Sequence, residues 1–395
     1  MATVYLHIGM PKTGTTAIQN FMALNRDLLA EKGVSYPDMG FHYPGRGYNR
    51  NAFFLHGEGY NAEGAERCDW REKPEYPEGM KQLSELGRKF ETIVISDEGN
   101  WWGGVRRKKF WPMLKQDMDA AGLELKVIVY LRRQEDFAQS HYEQRVKEGF
   151  THSFEEYLVW KDRAEYPFDY EATLAKIAES VGSENIIVRV YEKGQFQGEE
   201  HTIFSDFLEI FGLKMADGFE LENTVRNVSL EGDALELRRA LNRVPEMRGV
   251  SHRLTLDLKR VQEIEDYAWK RGQEMYFASE DAFEAFKARY AEGNAAVARK
   301  YLGREDGKLF QKESHALTPH VYNEKLLVEE LSVLLAYNII EREKTEKALK
   351  DECAKQRAEL KALKKELRDT KKEIQQDLLW FRAKRKARHL MGKDK

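Results

Sequence analysis

What most restricts the fold of this chain lies in its first 33 residues. Thr3 to Ile8 is a short β-branched and aromatic run that ends at Gly9, the pattern of a buried strand. A loop follows, HIGMPKTGTT. Ile18, Phe21, Met22, Leu28 and Leu29 then recur at helical spacing, and Gly33 supplies the stop. Three more strands stand out, Thr92 to Ser96, Leu125 to Leu131 and Ile186 to Tyr191, each followed by a polar turn with helical patterns between them. Strands alternating with helices imply a parallel sheet covered on both faces. The expected fold is α/β: a P-loop NTPase-like parallel sheet flanked by helices.

Residues 36–80 are rich in Gly, Tyr, Pro and His with little period, and long excursions of this kind are often binding loops. After residue 200 the pattern is helical: Asp206 to Phe211 ends one helix at Gly212, Leu230 to Leu241 makes another, and 281–302 closes the globular part. Between Pro319 and Gly392 there is no other Pro or Gly. Leu349, Cys353, Leu360, Leu363, Leu367 and Ile374 recur there at heptad-like spacing, interrupted by Gln356, Thr370 and Asp377. A helix over 325–388 would be about 95 Å long. It reads as a coiled coil, with a solvated single helix and a helix folded back on the domain as the alternatives. The domain limits are thus 1–312, a linker at 313–324, and a C-terminal long helix or coiled coil over 325–395 with a basic end.

Composition excludes several classes. A net charge of −3 argues against a nucleic-acid binder. Two cysteines, Cys68 and Cys353, give no disulfide framework or thiolate metal site, and no metal-ligand cluster stands out. No signal-peptide pattern opens the chain and no apolar run reaches the ~20 residues of a membrane span. A soluble, cytoplasmic protein is expected.

The loop carries the chemistry. Gly9 and Gly14 are separated by four residues, as in a Walker A loop, but Thr15 stands where the Walker lysine belongs and the lysine is Lys12. Backbone amides can still curl around a phosphate at the helix N-terminus. Thr13, Thr15 and Thr16 add hydroxyls, and Lys12 would lie beside a bridging oxygen of the bound group. The bland alternative is a turn that merely joins strand and helix. At PKTGTT the chain resembles the family of sulfotransferases that use 3′-phosphoadenosine 5′-phosphosulfate (PAPS). The resemblance, closest to bacterial carbohydrate sulfotransferases and covering roughly residues 1–312, implies a 5′-phosphosulfate loop. It also implies that Lys12 stabilises charge on the leaving oxygen.

The strand KVIVYL empties into RRQEDFAQSHYEQ. Arg132 and Ser140 are eight residues apart, so a following helix would return Ser140 toward the strand end. A guanidinium and a hydroxyl there suit a phosphate monoester, unless Arg132 simply ends a strand. This pair is similar to the family's 3′-phosphate motif; Arg133 shares that role or points to solvent. Tyr191-Glu192, at the end of IIVRVYEK, resembles a family pair whose tyrosine lies near the adenine, although a core or surface tyrosine fits the letters equally.

Transfer needs a proton acceptor. Asp97-Glu98 follows the strand TIVIS, and ligand sites in parallel sheets lie beyond the carboxyl ends of the strands. Glycan-modifying members carry a similar Ser-x-Glu, matched by Ser96 and Glu98. Glu98 is the expected general base, with a helix N-cap pair as the alternative. His56 is the rival base. Trp101 and Trp102 before Arg106, Arg107, Lys108 and Lys109 suit either an anionic glycan or a core residue beside a solvated face.

The function expected is sulfuryl transfer from PAPS to a hydroxyl or amine, on a carbohydrate, by in-line displacement without a metal. The rivals are a P-loop small-molecule kinase or NTPase and a non-catalytic coiled-coil scaffold. The expected partners are the acceptor glycan and a second copy paired through the C-terminal helix. Leu378 to Phe381, beside Arg382, Lys384, Arg385, Lys386 and Arg388, suggest peripheral contact with the membrane inner face; charge complementarity to the helix end explains the same cations.

Overall fold

A computed structural model describes residues 1–41, 49–55, 70–163, 167–221, 230, 232–244, 274–319 and 324–390. Five strands form one parallel sheet: β1 (Ala2–His7), β2 (Val34–Ser35), β3 (Thr92–Ser96), β4 (Leu123–Leu131) and β5 (Ile186–Val190), in the order β2-β3-β1-β4-β5. β1 is central. It pairs with β3 from Thr3↔Thr92 to His7↔Ser96, and with β4 from Ala2↔Leu123 to His7↔Ile128. Val127 to Leu131 of β4 are all buried, as a strand covered on both faces requires.

The chain leaves β1 toward β2 and β3, then crosses to β4 and β5. The carboxyl end of β1 therefore opens at the point where the winding reverses, the usual ligand crevice of such sheets. α1 (Thr15–Leu24), α2 (Arg26–Glu31) and, from later in the chain, the helix Ile203–Glu209 cover one face. Ile18, Phe21 and Met22 pack there with Val94, Ile128, Tyr130, Phe207 and Leu208. After α3 (Glu75–Leu86) and α4 (Gly99–Arg106), α5 (Phe110–Ala120) packs beside β4. α6 (Gln134–Lys147), α7 (Phe154–Arg163) and α8 (Tyr170–Val181) follow. The helix Ile203–Glu209 is α9, opened by a reciprocal Thr202–Ser205 capping box.

α10 (Gly232–Leu241), α11 (Glu280–Ala288) and α12 (Ala291–Leu302) complete the first compact unit, Met1–Asn323. β6 (Glu274–Met275) pairs in parallel with β7 (Thr318–Pro319). The start of the expected linker is held by that unit: Ser314 Oγ donates to Glu135 Oε1 at 2.5 Å, and Lys287 Nζ donates to the Ser314 carbonyl at 2.8 Å. The second unit, Glu324–Lys395, is built on α13 (Glu324–Leu390), 67 residues in one helix and about 100 Å long. Leu349, Leu360, Leu363, Leu367 and Ile374 are each more than half exposed on it.

Candidate functional site

The turn between β1 and α1 depends on two glycines. Gly9 has φ +102°, and a Cβ built on it would stand 2.8 Å from Glu98 Cβ. Only glycine lets the exit of β1 lie against the turn after β3. Gly14, φ +75°, precedes α1, and a Cβ there would stand 3.3 Å from Tyr191 Cε2. Lys12 between them is also left-handed, φ 65°, a conformation that costs a lysine about 1–2 kcal/mol. Thr15 is buried as the first residue of α1, and Thr16 is exposed. The Thr13 hydroxyl is buried and donates to the Met10 carbonyl at 2.6 Å, which braces the loop. No side chain caps α1, and no acidic residue sits in its first turn. The first amides of a helix have no intrahelical acceptor, and here they carry the positive end of the dipole unopposed.

Arg132, just past β4, turns onto this loop. Its Nη1 donates to the Lys12 carbonyl at 3.0 Å, and its guanidinium lies 5.9 Å from the centre of the Tyr191 ring. Tyr170 Oη holds the Arg132 carbonyl from below, at 2.5 Å. Lys12 is pushed below the ordinary lysine pKa by burial first and by Lys147 second, with Glu143 opposing. α6 therefore faces the loop with both signs of charge. Ser140 lies on α6, partly buried, and no hydrogen bond joins it to Arg132 among the described residues; the Arg132 side chain itself meets Lys12 and Tyr191.

Arg133 takes neither role expected of it. It binds the Glu192 carboxylate and the Lys312 carbonyl, with the Phe310 ring 5.2 Å away. Glu192 in turn accepts from the amides of Gln311 (2.8 Å) and Lys312 (3.0 Å). These contacts draw residues 310–312 against the end of β5, beside Tyr191. Nothing local in the sequence announces this clasp.

Asp97 and Glu98 divide their work. Asp97 Oδ1 accepts from Gly99 N at 2.9 Å, closing the entrance to α4. Glu98 looks elsewhere: Gln19 Nε2 donates to Oε2 at 2.9 Å, and Arg50 pairs with Oε1. Burial pushes the Glu98 carboxyl up, against the opposing pull of Arg50. Ser96 Oγ lies 2.8 Å from His7 Nδ1 and accepts from Gln19 at 3.1 Å. Asn51 Oδ1 accepts from Ser96 N at 2.7 Å. His56 lies outside the described residues.

The tryptophan–basic stretch is resolved into parts. Trp101 is fully buried, edge-on to Tyr170 at 5.9 Å. Arg107 is structural, donating to Leu55 O at 2.8 Å and Gly103 O at 3.0 Å. Trp102 is partly exposed, with Arg106 5.4 Å and Lys161 5.3 Å from its ring. Lys161 is itself buried, also within 5.7 Å of the Tyr157 ring and 5.1 Å of Trp160, and burial lowers its pKa to about 6. His141 Nδ1 meets Tyr157 Oη at 2.9 Å. Burial first, and then the charges of Lys161, Arg145 and Lys12, keep this imidazole neutral. α4, α6 and α7 thus bring an aromatic and basic cluster within electrostatic reach of Lys12. Sequence reasoning missed Lys161 and His141; a lysine four residues after Tyr157 on an otherwise apolar helical face was the available signal.

Among the described residues no group of three or more His, Cys, Asp or Glu gathers as a metal site would. None of their helices is long and apolar enough to cross a membrane. No family model matches the chain. It is 27% identical over 193 residues to an uncharacterized protein of Archaeoglobus fulgidus, a match covering 48% of this chain and 49% of that one. The chain thus spans about half the length of the curated relative it matches. A solved sulfotransferase from Alicyclobacillus acidocaldarius superimposes with a TM-score of 0.35 at 17% identity, over 69% of this chain and 100% of that chain.

Proposed function

We propose that the protein transfers a sulfuryl group from PAPS to a hydroxyl or amine, on a carbohydrate acceptor. One observation carries the reading: Lys12 sits in a loop opening an uncapped, acid-free helix N-terminus, with Arg132 and Tyr191 packed against that same loop. Amides, dipole and lysine together suit a phosphosulfate, and the aromatic edge of Tyr191 suits an adenine. Arg132 supplies the charge that a 3′-phosphate seeks. In this reading Lys12 stabilises charge developing on the phosphosulfate oxygen as the sulfur–oxygen bond breaks. Glu98 takes the acceptor proton as the new bond forms, and burial raises its basicity for that task. The acceptor approaches over the partly exposed Trp102 and the exposed Arg106 beside it, whose ring and cation suit an anionic sugar. A second copy pairs along the apolar stripe of α13.

Calorimetry with 3′,5′-diphosphoadenosine, 5′-AMP and ATP plus Mg²⁺ tests the donor assignment. The diphosphate should bind at least tenfold tighter than 5′-AMP, and Arg132→Ala should erase that preference. Tighter binding of ATP with Mg²⁺ would instead make the protein a kinase or NTPase. An arginine variant that loses both adenylates equally would remove Arg132 from 3′-phosphate recognition.

A further inference from the structure

Gln19 stands one helical turn past Thr15 in α1. It occupies the apolar face, beside Ile18 and Met22, and is almost wholly buried. A buried amide must find partners or carry a desolvation cost, and Gln19 has two. Its Nε2 donates to Glu98 Oε2 at 2.9 Å and to Ser96 Oγ at 3.1 Å, matching its two N–H groups to two acceptors. The Ser96 hydroxyl, having accepted from Gln19, is free to donate to His7 Nδ1 at 2.8 Å. Burial holds His7 near a pKa of about 3, so the imidazole is neutral and Nδ1 can accept. Donation therefore runs outward from Gln19 in two directions, one ending on the carboxylate.

We propose that Gln19 is a positioning residue for the transfer: its amide fixes the Glu98 carboxylate in the charged form and ties its aim to the helix that begins at the donor loop. The proposal rests on the reading of Glu98 as base. Other groups also face that carboxylate. Arg50, from the segment before Asn51, pairs with its second oxygen; Asp97 beside it opposes ionisation. The Tyr36 phenol is buried nearby and stays protonated, and His7 stays neutral. Of these, Gln19 is the neutral group that donates to the Glu98 carboxylate, and among the described residues that hydrogen bond connects Glu98 to α1.

A hydrogen bond to the charged form lowers a carboxyl pKa. Removing it should therefore raise the Glu98 midpoint, by about one pH unit for a bond of this kind. The full chain carrying ¹³C-labelled glutamate is titrated by NMR, the Glu98 carboxyl signal being assigned by its absence in Glu98→Gln. In Gln19→Met, which keeps length and packing, the midpoint should move up by about one unit. Affinity for 3′,5′-diphosphoadenosine should stay within twofold. The acid limb of the pH–kcat/KM profile for transfer should move by the same amount. Gln19→Asn, which keeps the amide but draws it back, serves if the Met variant fails to fold, with a smaller shift in the same direction. A midpoint that stays or falls in a folded variant overturns the proposal. So does a fall in turnover with an unmoved pH profile. Full turnover in Glu98→Gln overturns the base reading itself. An inactive Glu98→Gln beside an unmoved Gln19→Met profile overturns the positioning role alone.

Discussion

At the scale of single residues, two lysines bury their ammonium groups and should behave in opposite ways when removed. Lys12 accepts a left-handed backbone and a depressed pKa, costs that a residue without a ligand to meet would not need. Lys12→Ala should leave the fold intact and lower turnover by ~10²–10³, the scale of losing one charge-stabilising group at a reacting centre. Near-normal turnover measured with PAPS would remove the loop from the chemistry. Lys161 sits among Trp102, Tyr157 and Trp160 with a pKa of about 6, far below its ordinary value of 10.5. Between those two values the unfolded chain holds a proton that the folded chain lacks, so stability attributable to this group rises with pH. Below about pH 6 both states are charged, and the cost of burying the cation is fully present. Lys161→Met should thus stabilise the protein by about 1–3 kcal/mol near pH 6.5, in line with apolar replacement of buried charge. The gain should shrink toward pH 10. Urea denaturation at the two pH values reads this directly, and a Met variant less stable at both would show that the amine is held by more than its burial suggests.

Among the elements, the β1–loop–α1 unit was the most legible, because everything it needs is contiguous. The apolar run, the two glycines, the lysine and the helical spacing occur within a few turns of chain. β3, β4 and β5 were legible for the same reason, to within two residues at their ends. β2 was not: two residues, Val34–Ser35, carry no period to read. The end of α9 near Gly212 was anticipated, but its start was set by the Thr202–Ser205 box, which the letters only hint at. The site divided along the same line. Lys12, Arg132 and Tyr191 could be named from local motifs, whereas Gln19 and Arg50 acquire meaning only from Glu98, 79 residues away from Gln19. The clasp of Arg133 and Glu192 on residues 310–312 is likewise a product of tertiary folding. Gly9 offers a test of how tightly the unit is built. Gly9→Ala meets both a positive φ and a Cβ contact at 2.8 Å with Glu98. Gly33→Ala meets a positive φ of 82° and open space. The second should cost about 1–2 kcal/mol from backbone strain. The first should cost about 1–3 kcal/mol more from overpacking, with lost diphosphoadenosine binding. Equal losses by thermal denaturation would mean that the turn after β3 yields freely.

At the scale of the whole molecule, the first compact unit ends at Asn323 and the second, helical unit begins at Glu324. Every residue assigned to donor binding belongs to the first. The second exposes a row of leucines at Leu349, Leu360, Leu363 and Leu367 that runs on to Ile374. A long isolated helix gains most of its stability from packing such a stripe, and the heptad-like spacing suits another helix of the same kind. A chain ending at Asn323 should therefore keep its affinity for 3′,5′-diphosphoadenosine. Sedimentation at micromolar concentration should find the full chain dimeric and the shortened chain monomeric; two monomers would refute the coiled coil. The far end of α13 carries a separate apolar and basic surface. Leu378, Leu379, Trp380 and Phe381 are more than half exposed, and Lys384 Nζ lies 4.3 Å from the Trp380 ring centre. Four bulky apolar residues beside Arg382, Lys384, Arg385, Lys386 and Arg388 combine interfacial insertion with attraction to anionic headgroups, worth about 1 kcal/mol per basic residue near the surface. The full chain should then float with vesicles containing phosphatidylserine and remain behind with neutral phosphatidylcholine vesicles. Raising the salt should release it, because the Debye length falls to about 3 Å at 1 M. Substituting Leu378, Leu379, Trp380 and Phe381 by serine should abolish flotation without altering the sedimentation of the dimer. Flotation that survives those substitutions and high salt would place the membrane contact outside this end of the helix.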